Sequence, residues 1–596
     1  MSIFASIGRE VHFLTAALRT LGRVRSVAST SSNLICDDFE QAVDRFGPRP
    51  ALQFEGKVLT YAELDALTNR FAHWAQDQGL VRGDCVALVM PNRAEYLAIW
   101  MGLSKVGVVT ALINNNLNGP ALAHCLSISG AHQVIADSET IDAFEAIQAD
   151  LPHSTKVWVL EDAKGDRHDL TQALKSCSPL RPDRKTVRAG LVARETALYI
   201  YTSGTTGMPK AAKISHTRAQ TYMRGFAGST NVQADDRVYV TLPLYHATGG
   251  FCATGAALMN GAAIVLRRRF SLSQFWKEVN EERCTVFVYI GELCRYLVNQ
   301  DPVEGERTHR LRLAFGNGLR GDVWEKMGKR FAIPEILEFY GATEGNVSLF
   351  NWDGKVGAIG RVPPYLRGSF NFRLVKFDVE TEQPVRGPDG RCIECAPGEV
   401  GECIGLIGGD ARTDFTGYAD KAATAKKVLT DVFKTGDRWF RTGDLMRVDA
   451  EHFYYFVDRI GETFRWKSEN VSTTEVAQQL TSCDGVKEAI VYGVSVQGYD
   501  GRAGMASLVV GSEFDLGVFT GHVESRLPAF AQPLFLRLST EVETTGTFKY
   551  RKVDLVEQGF DPSQIPPPLY FKQPGAGYVP ITPELFDQIN TGAFKI

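Results

Sequence analysis

Between Arg237 and Gly345 one local pattern recurs: an apolar run long enough for a strand ends in small or polar residues. Arg237 to Leu242 leads into Pro243-Leu-Tyr-His-Ala-Thr-Gly-Gly250, and Thr285 to Tyr289 leads into Ile290-Gly291. Leu311 to Phe315 leads into Gly316-Asn-Gly-Leu319, and Ile336 to Phe339 leads into Tyr340-Gly-Ala-Thr-Glu-Gly345. Near-continuous apolar runs are what strands buried on both faces need, and such strands belong to parallel sheets covered by helices. Ligands in these sheets sit at the carboxyl ends of the strands, so a single site assembled from several of the turns is expected. Ser271-x-x-Gln274 supplies a cap signal for a helix from Gln274 to Glu282 between two of the runs.

The same rhythm holds upstream. Thr60-x-x-Glu63 has capping-box spacing at the start of a helix, Cys85 to Met90 reads as a short buried strand, and Glu95 onward is helical before Val106 to Leu112 turns strand-like. A helix from about Ala121 and strands at His132 to Ala136 and Lys156 to Leu160 continue the series. The polar stretch Glu161 to Glu195, with two prolines, reads as a loose connection. Directly after the apolar run Ala197 to Ile200 comes Tyr201 to Lys210, YTSGTTGMPK. Glycines there let backbone N–H groups close around phosphate oxygens, Thr202, Ser203, Thr205 and Thr206 add hydroxyls, and Lys210 adds a positive charge. A Walker A loop needs G-x-x-x-x-G-K-[ST] running into a helix. Here Pro209 precedes the lysine and Ala211 and Ala212 follow, so a different phosphate-binding geometry is implied.

A chain of 596 residues exceeds what one core organises, so at least two domains are expected. After Arg441-Thr-Gly-Asp444 the run Phe453 to Val457 reads as a strand, and after Asp458-Arg459-Ile460-Gly461 the pattern changes to a small α+β unit. It has a helix from Thr474, strands at Glu488 to Val494 and Met505 to Val510, a helix through Arg526 and a strand at Leu534 to Leu538. The proline-rich stretch from Phe560 to Ile596 reads as a tail wrapping a surface. The expected division is an amphipathic segment over 1–30, a large domain over 31–459 and a small one over 460–596. A formal net charge of -4 argues against a general nucleic-acid binder. The 11 cysteines have no framework spacing, which fits reduced thiols in a cytoplasmic setting. Cys392, Cys395 and Cys403 form the one cluster, with no fourth ligand at zinc spacing.

No apolar run is long enough to span a bilayer. Near the N-terminus Phe4, Ile7, Val11, Leu14, Leu18 and Leu21 recur at three- and four-residue steps, beside Arg9, Arg19, Arg23 and Arg25. Such a helix can lie in a membrane interface or dock on a protein surface, and both readings stay open.

Taken together, YTSGTTGMPK, PLYHATGG, YGATEG, RTGD at Arg441 to Asp444, the Asp458-Arg459 dipeptide and TGTFK at Thr545 to Lys549 resemble, in order, the adenylate-forming superfamily of acyl-CoA synthetases, adenylation domains and luciferases. YIGELCRYL at Tyr289 to Leu297, RLAFGNGLR at Arg312 to Arg320, EFYGATEGN at Glu338 to Asn346 and FRWKSENVSTTEV at Phe464 to Val476 look like its fatty-acid-transport-protein branch of very-long-chain acyl-CoA synthetases. The resemblance implies an α/β fold with doubly wound sheets in a large N-terminal domain and a small mobile C-terminal α+β domain. It also implies ATP, Mg²⁺ and CoA as cofactor and co-substrates and a fatty acid as substrate.

It further implies roles. Thr202, Ser203, Gly204, Thr205, Thr206, Gly207 and Lys210 would hold the β- and γ-phosphates, Glu344 would ligate Mg²⁺, and Thr343 would contact the α-phosphate. Gly316, Asn317 and Gly318, with Tyr340, Gly341 and Ala342, would make the nucleotide slot. Asp444 would accept both ribose hydroxyls, and Arg459 would reach ribose or phosphates. His246 would sit between acyl channel and adenylate, although a histidine there is also consistent with a core residue. Lys549 would be the catalytic lysine of adenylate formation. Where many relatives carry a polar pivot two residues after Arg459, this chain has Gly461.

Amino-acid-activating relatives place an Asp soon after the strand that here ends at Pro243, and none occurs between Pro243 and Gly261. That favours a hydrocarbon acid, with Tyr289 to Asn299 and Phe251 to Met259 as tunnel walls or, equally, core. The reading is an ATP-dependent long- or very-long-chain fatty acyl-CoA ligase working through an acyl-adenylate, cytoplasmic and peripheral at the inner face of a membrane. The alternatives are a ligase for a bulky cyclic or sterol-derived acid, transfer of the acyl group to a carrier protein, and a non-enzymatic membrane-attached fatty acid transporter. Oligomeric state is left open.

Overall fold

The computed structural model describes every residue except 1, 2, 148, 149, 153, 162, 164–166, 205, 206, 380, 468, 498, 500, 540–551, 567, 592 and 594–596; side chains at 3–6, 145, 203, 204, 207, 470 and 553 also lie outside the description. Two sheets built largely of parallel strands form the centre. The first runs His168–Asp169, Lys156–Leu160, Gln133–Asp137, Cys85–Val89, Val109–Leu112, Thr196–Gly204 and Gly207–Ser215. The second has eight strands, with Arg237–Val240, Val286–Ile290, Leu313–Asn317 and Glu335–Gly341 pairing in parallel at its heart. Cys85–Val89 is buried at every residue, as its unbroken apolar run requires. One hydrophobic cluster unites the two sheets. It joins Leu88 and Ile200 of the first to Val240, Phe287 and Phe315 of the second through Phe71, Trp74, Tyr96 and Trp100 of the helices Tyr61–Asp77 and Ala94–Lys105.

Thr60 caps the helix Tyr61–Asp77, and Glu63 closes the capping box on its backbone N–H at 2.8 Å. The cap signal at Ser271 is not used. The helix spans Phe275–Glu281 with Gln274 at its N-cap and no side-chain cap bond, and the Ser271 hydroxyl lies instead 3.5 Å from that of Ser273. The stretch after Leu160 is less loose than its composition implies. Helix Leu170–Ser176 buries Leu170 and Leu174 in the main core, and buried Arg188 ties the next turn to Asp37 and Glu40.

A third sheet, antiparallel, is marked in the sequence only by the run Phe453 to Val457. It orders Gly360–Arg361, Phe453–Arg459, Arg438–Val448, Val400–Leu406, Phe372–Asp378 and Gln383–Pro384, with Val428–Thr430 on its flank. Its longest strand, RWFRTGDLMRV, mixes charge, glycine and apolar residues, so no run marks it.

Phe464, Trp466 and residues beyond them form a separate hydrophobic cluster around a five-stranded sheet. The tail expected to wrap a surface is part of that core. Leu569–Gln573 and Gly577–Pro580 are its last two strands, and Phe560, Ile565, Phe571, Tyr578 and Ile589 are buried in it. Proline-rich composition hid the apolar residues spaced between the turns. Contact between this unit and the large one is polar: Arg295 pairs with Glu488 at 2.7 Å, and Arg320 donates to Thr481.

The segment Ile3–Val24 is one helix. Phe13 and Ala16 are buried, Glu10 pairs with Arg361 at 2.6 Å, and the helix crosses His216–Ser229 so closely that a Cβ at Gly228 would stand 2.7 Å from the Thr20 Cα. Ile7, Val11, Leu14, Leu18 and Leu21 face outward as a continuous exposed stripe. No helix among the described residues is long and apolar enough to cross a membrane.

Candidate functional site

The glycine-rich loop is the tip of a β-hairpin. Thr202 stands opposite Lys210 and Gly204 opposite Gly207. Thr205 and Thr206 lie outside the described residues, as does the side chain of Ser203, so the structure locates the hairpin that presents them and nothing further. This explains the failed match to Walker A, which couples a strand to a helix. A short strap docks on the returning strand: Lys213 N–H donates to Gly417 O and Ala419 N–H to Ala211 O, each at 2.9 Å. Tyr418, between them, donates its hydroxyl to Glu344 Oε1 at 2.6 Å. Glu344 therefore faces the hairpin. Its second oxygen makes no hydrogen bond among the described residues. A carboxylate with one oxygen fixed and one open suits a hard cation shared with phosphate oxygens, so the donor set fits Mg²⁺.

The strand Glu335–Gly341 delivers Tyr340 and Gly341, and the bend after it delivers Ala342, Thr343 and Glu344. The helix His216–Ser229 braces this bend, with the Tyr222 hydroxyl donating to Ala342 O at 2.8 Å and Arg218 Nη2 donating to Ala342 O at 3.1 Å. Tyr340 donates its hydroxyl to Asp444 Oδ2 at 2.5 Å, and Arg459 Nε lies 3.6 Å from Asp444 Oδ1. Asp444 and Arg459 are cross-strand partners, so the antiparallel sheet sets this geometry. Burial raises the Asp444 pKa; Arg459 and the Tyr340 hydroxyl pull it back, while the nearby Glu344 charge adds to the rise. Asp444 and Glu344 thus share one electrostatic neighbourhood. Ile460 N–H reaches back to Gly443 O at 2.8 Å, which joins the Asp444 turn to the start of the next unit.

Gly316, Asn317 and Gly318 end the strand Leu313–Asn317 beside that for Tyr340. A Cβ at Gly316 would sit 2.1 Å from Tyr289 O, and Gly318 has φ +80, so neither position accepts a side chain without distortion. The loop is held from below by Glu338, which accepts the Leu319 N–H at 3.0 Å and the Tyr289 hydroxyl at 2.7 Å. Burial pushes the Glu338 carboxyl up to about 8. Asn317 accepts the Thr248 hydroxyl at 3.3 Å. That contact ties it to the π-helical turn Thr248–Ala253 that follows His246. Asn92 pins the chain just before His246, donating to Leu242 O and accepting the Leu244 N–H, each at 2.9 Å. His246 packs on Tyr245 with ring centroids 4.5 Å apart, and its carbonyl accepts the Gly250 N–H.

Lys549 lies outside the described residues. The expected residues that are described come from the hairpin strands, the strand ends and the antiparallel sheet. Sequence reasoning missed Arg218, Tyr222, Glu338, Tyr418 and Asn92. A recoverable signal exists for Arg218 alone, a charged residue at a buried position of the helix that follows the hairpin's returning strand. Cys392 and Cys403 are buried, burial raises both thiols, and no cluster of metal-ligating side chains occurs among the described residues.

Two parallel-rich sheets, an antiparallel sheet and a small following unit, with Glu344 tied by Tyr418 to the strap on the glycine-rich hairpin, are the architecture of an adenylate-forming enzyme. The family described as AMP-binding enzyme matches residues 39–404 and its C-terminal domain matches 475–549; the chain belongs to that family. Among curated proteins it is similar to the long-chain fatty acid transport protein 6 of Mus musculus, 43% identical over 560 residues that cover 92% of this chain and 89% of that one. Among solved structures it shares its fold with ATP-bound MatB from Rhodopseudomonas palustris, at TM-score 0.73, 23% identity and coverage of 88% and 98%. The anthranilate CoA ligase AuaEII in complex with anthranoyl-AMP has the same fold at TM-score 0.73 and 20% identity, covering 88% and 97%.

Proposed function

We propose that this chain is an ATP-dependent CoA ligase for long- or very-long-chain fatty acids. The observation that carries the reading is two carboxylates that feel each other's charge, each braced by its own partners: Asp444 by Tyr340 and Arg459, and Glu344 by Tyr418. A protein that only binds or moves lipid needs neither. The resemblance to a long-chain fatty acid transport protein over most of both chains supports the acid class, and the lack of an acidic residue between Pro243 and Gly261 agrees with it.

In this reading ATP lies with its base against Gly316 to Gly318 and Tyr340, its ribose on Asp444 and its phosphates under the hairpin. Mg²⁺, held by Glu344, would neutralise phosphate charge. The acid's carboxylate oxygen attacks the α-phosphorus, an acyl–AMP anhydride forms and pyrophosphate leaves. The thiol sulfur of CoA then attacks the acyl carbonyl, its proton is lost to solvent, and AMP leaves. The chain's own contribution to the first step is alignment and charge stabilisation. Lys549 would bridge carboxylate and α-phosphate when the small unit, residues 460–596, closes on the large one, 31–459; Gly461, with φ +90 and open space around it, would allow that unit to turn for the second step.

The exposed stripe of the N-terminal helix supports peripheral contact with the inner face of a membrane, from which a fatty acid would be taken up. The test is acid-dependent ATP–pyrophosphate exchange, followed by a CoA-dependent thioester assay. Glu344→Gln is expected to lower exchange at least about 100-fold with an unchanged melting curve. Full exchange in that variant at saturating Mg²⁺ would remove the assignment.

A further inference from the structure

The helix His216–Ser229 carries a buried cation without an anion. Arg218 is 7% exposed, as buried as Arg93, Arg188, Arg295 and Arg361. Each of those pairs with a carboxylate: Arg93 with Glu95 at 2.8 Å, Arg188 with Glu40 at 2.7 Å, Arg295 with Glu488 at 2.7 Å and Arg361 with Asp353 at 2.8 Å. Arg218 has only neutral partners among the described residues. Its Nη2 donates to Ala342 O at 3.1 Å, to Thr343 O at 3.4 Å and to the Tyr222 hydroxyl at 3.2 Å, while its Nε is buried without an acceptor. An isolated buried charge is costly, and proteins tolerate one where a ligand completes it.

Two features say which ligand. The guanidinium touches the backbone immediately before Glu344, at the centre of the site. On its other side it lies over Tyr222, 4.8 Å from the ring centroid, and Tyr222 opens an aromatic row through Phe251, at 6.4 Å, to Trp100, 6.1 Å further. Polar head and apolar row are the two ends of a fatty acid. The phosphates have their own cradle in the hairpin and Lys210.

We propose that Arg218 anchors the carboxylate of the acyl substrate, with the hydrocarbon directed along the Tyr222–Phe251–Trp100 row. The inference rests on the ligase reading and deepens it. Arg218 acts on the bound acid before chemistry, so it sets the KM for acid, whereas Lys549 acts on kcat.

The experiment uses the full chain and Arg218→Met, with pyrophosphate exchange measured against acid at saturating ATP and against ATP at saturating acid. A second readout, without ATP, is displacement of a fluorescent fatty acid by an unlabelled acid and by the alcohol of equal length. The expected result is a rise in acid KM of about 10- to 100-fold with a smaller change in kcat, an ATP KM within about twofold, and loss of the preference for acid over alcohol. Arg218→Lys restores part of that preference. An unchanged acid KM overturns the proposal, and so does a parallel rise in both KM values with the preference intact, which would mean that Arg218 only shapes the Ala342–Glu344 bend. Should the Met variant fail to fold, Arg218→Gln, neutral but still able to donate to Ala342, is read by the same criteria. Absence of exchange with every acid in the unaltered protein would defeat the ligase reading instead, and the displacement assay still decides the role of Arg218.

Discussion

Glu338 sits one residue before Phe339 in the strand that delivers Tyr340, yet its carboxylate turns inward and holds the Gly316–Leu319 loop from the opposite side of the site. Its pKa is raised from 4.5 to about 8, chiefly by burial, against the opposing pull of the Tyr289 hydroxyl and the Leu319 N–H. The folded chain therefore keeps a proton that the unfolded chain loses near pH 4.5. Its contribution to stability is complete below that value and declines as pH rises to about 8. Glu338→Gln keeps an acceptor for Leu319 and a neutral side chain at every pH. The difference in melting temperature between variant and parent is expected to shift in the variant's favour by a few degrees between pH 5 and 8. A difference independent of pH would show that Glu338 is ionised throughout. Residues of this kind escaped the sequence reading for a physical reason. Glu338 and Tyr418 make their bonds to elements remote in the chain, and neither belongs to a spacing that chemistry alone dictates. Glu344 and Asp444 were legible because six short motifs in order pointed to them.

The N-terminal helix shows the same division between what pattern reveals and what packing decides. Its apolar stripe was plain in the sequence, but the stripe is not the face that docks. Docking sets Thr20 against Gly228, Val24 against Gly225 and Phe13 against Trp352, and Arg19 donates to Gly228 O and Ser229 O. Glycines two hundred residues away give no local signal. Strands with unbroken apolar runs, such as Lys156–Leu160, were legible; of the antiparallel strands around Asp444 only Phe453 to Val457 gave a signal, because half-buried strands lined with charge lack such runs. Two outcomes follow from the helix. Arg9, Arg19 and Arg23 are occupied by Glu451, Gly228 and Asn260, so lipid contact should rest on the apolar stripe. Flotation on vesicles is expected to fall on Leu18→Glu and to persist as salt rises. Gly228→Val places side-chain atoms where Thr20 lies, and it should release the helix and lower stability by about 1 to 3 kcal/mol, read by thermal unfolding and by protease cleavage near Val24. Flotation that fades with salt and ignores Leu18 would assign binding to the arginines.

At the scale of the molecule, two units meet through Arg295–Glu488 and Arg320–Thr481, contacts that must break if the small unit turns between half-reactions. Glu488→Gln weakens one of them while Glu292 still pairs with Arg295. Thioester formation from supplied acyl-adenylate and CoA is expected to change by about two- to fivefold relative to pyrophosphate exchange, and equal change in both would place that contact outside the rotation. The small unit's sheet has another consequence. Strands Leu569–Gln573 and Gly577–Pro580 extend the sheet from Phe535–Ser539, and the segment carrying Lys549 lies in the chain between them. On the ribosome, then, the lysine emerges before the strands that complete that sheet. A nascent chain holds the large unit complete while the part that would deliver Lys549 in the proposed reaction still lacks its edge, so competence for that reaction would wait on those last two strands.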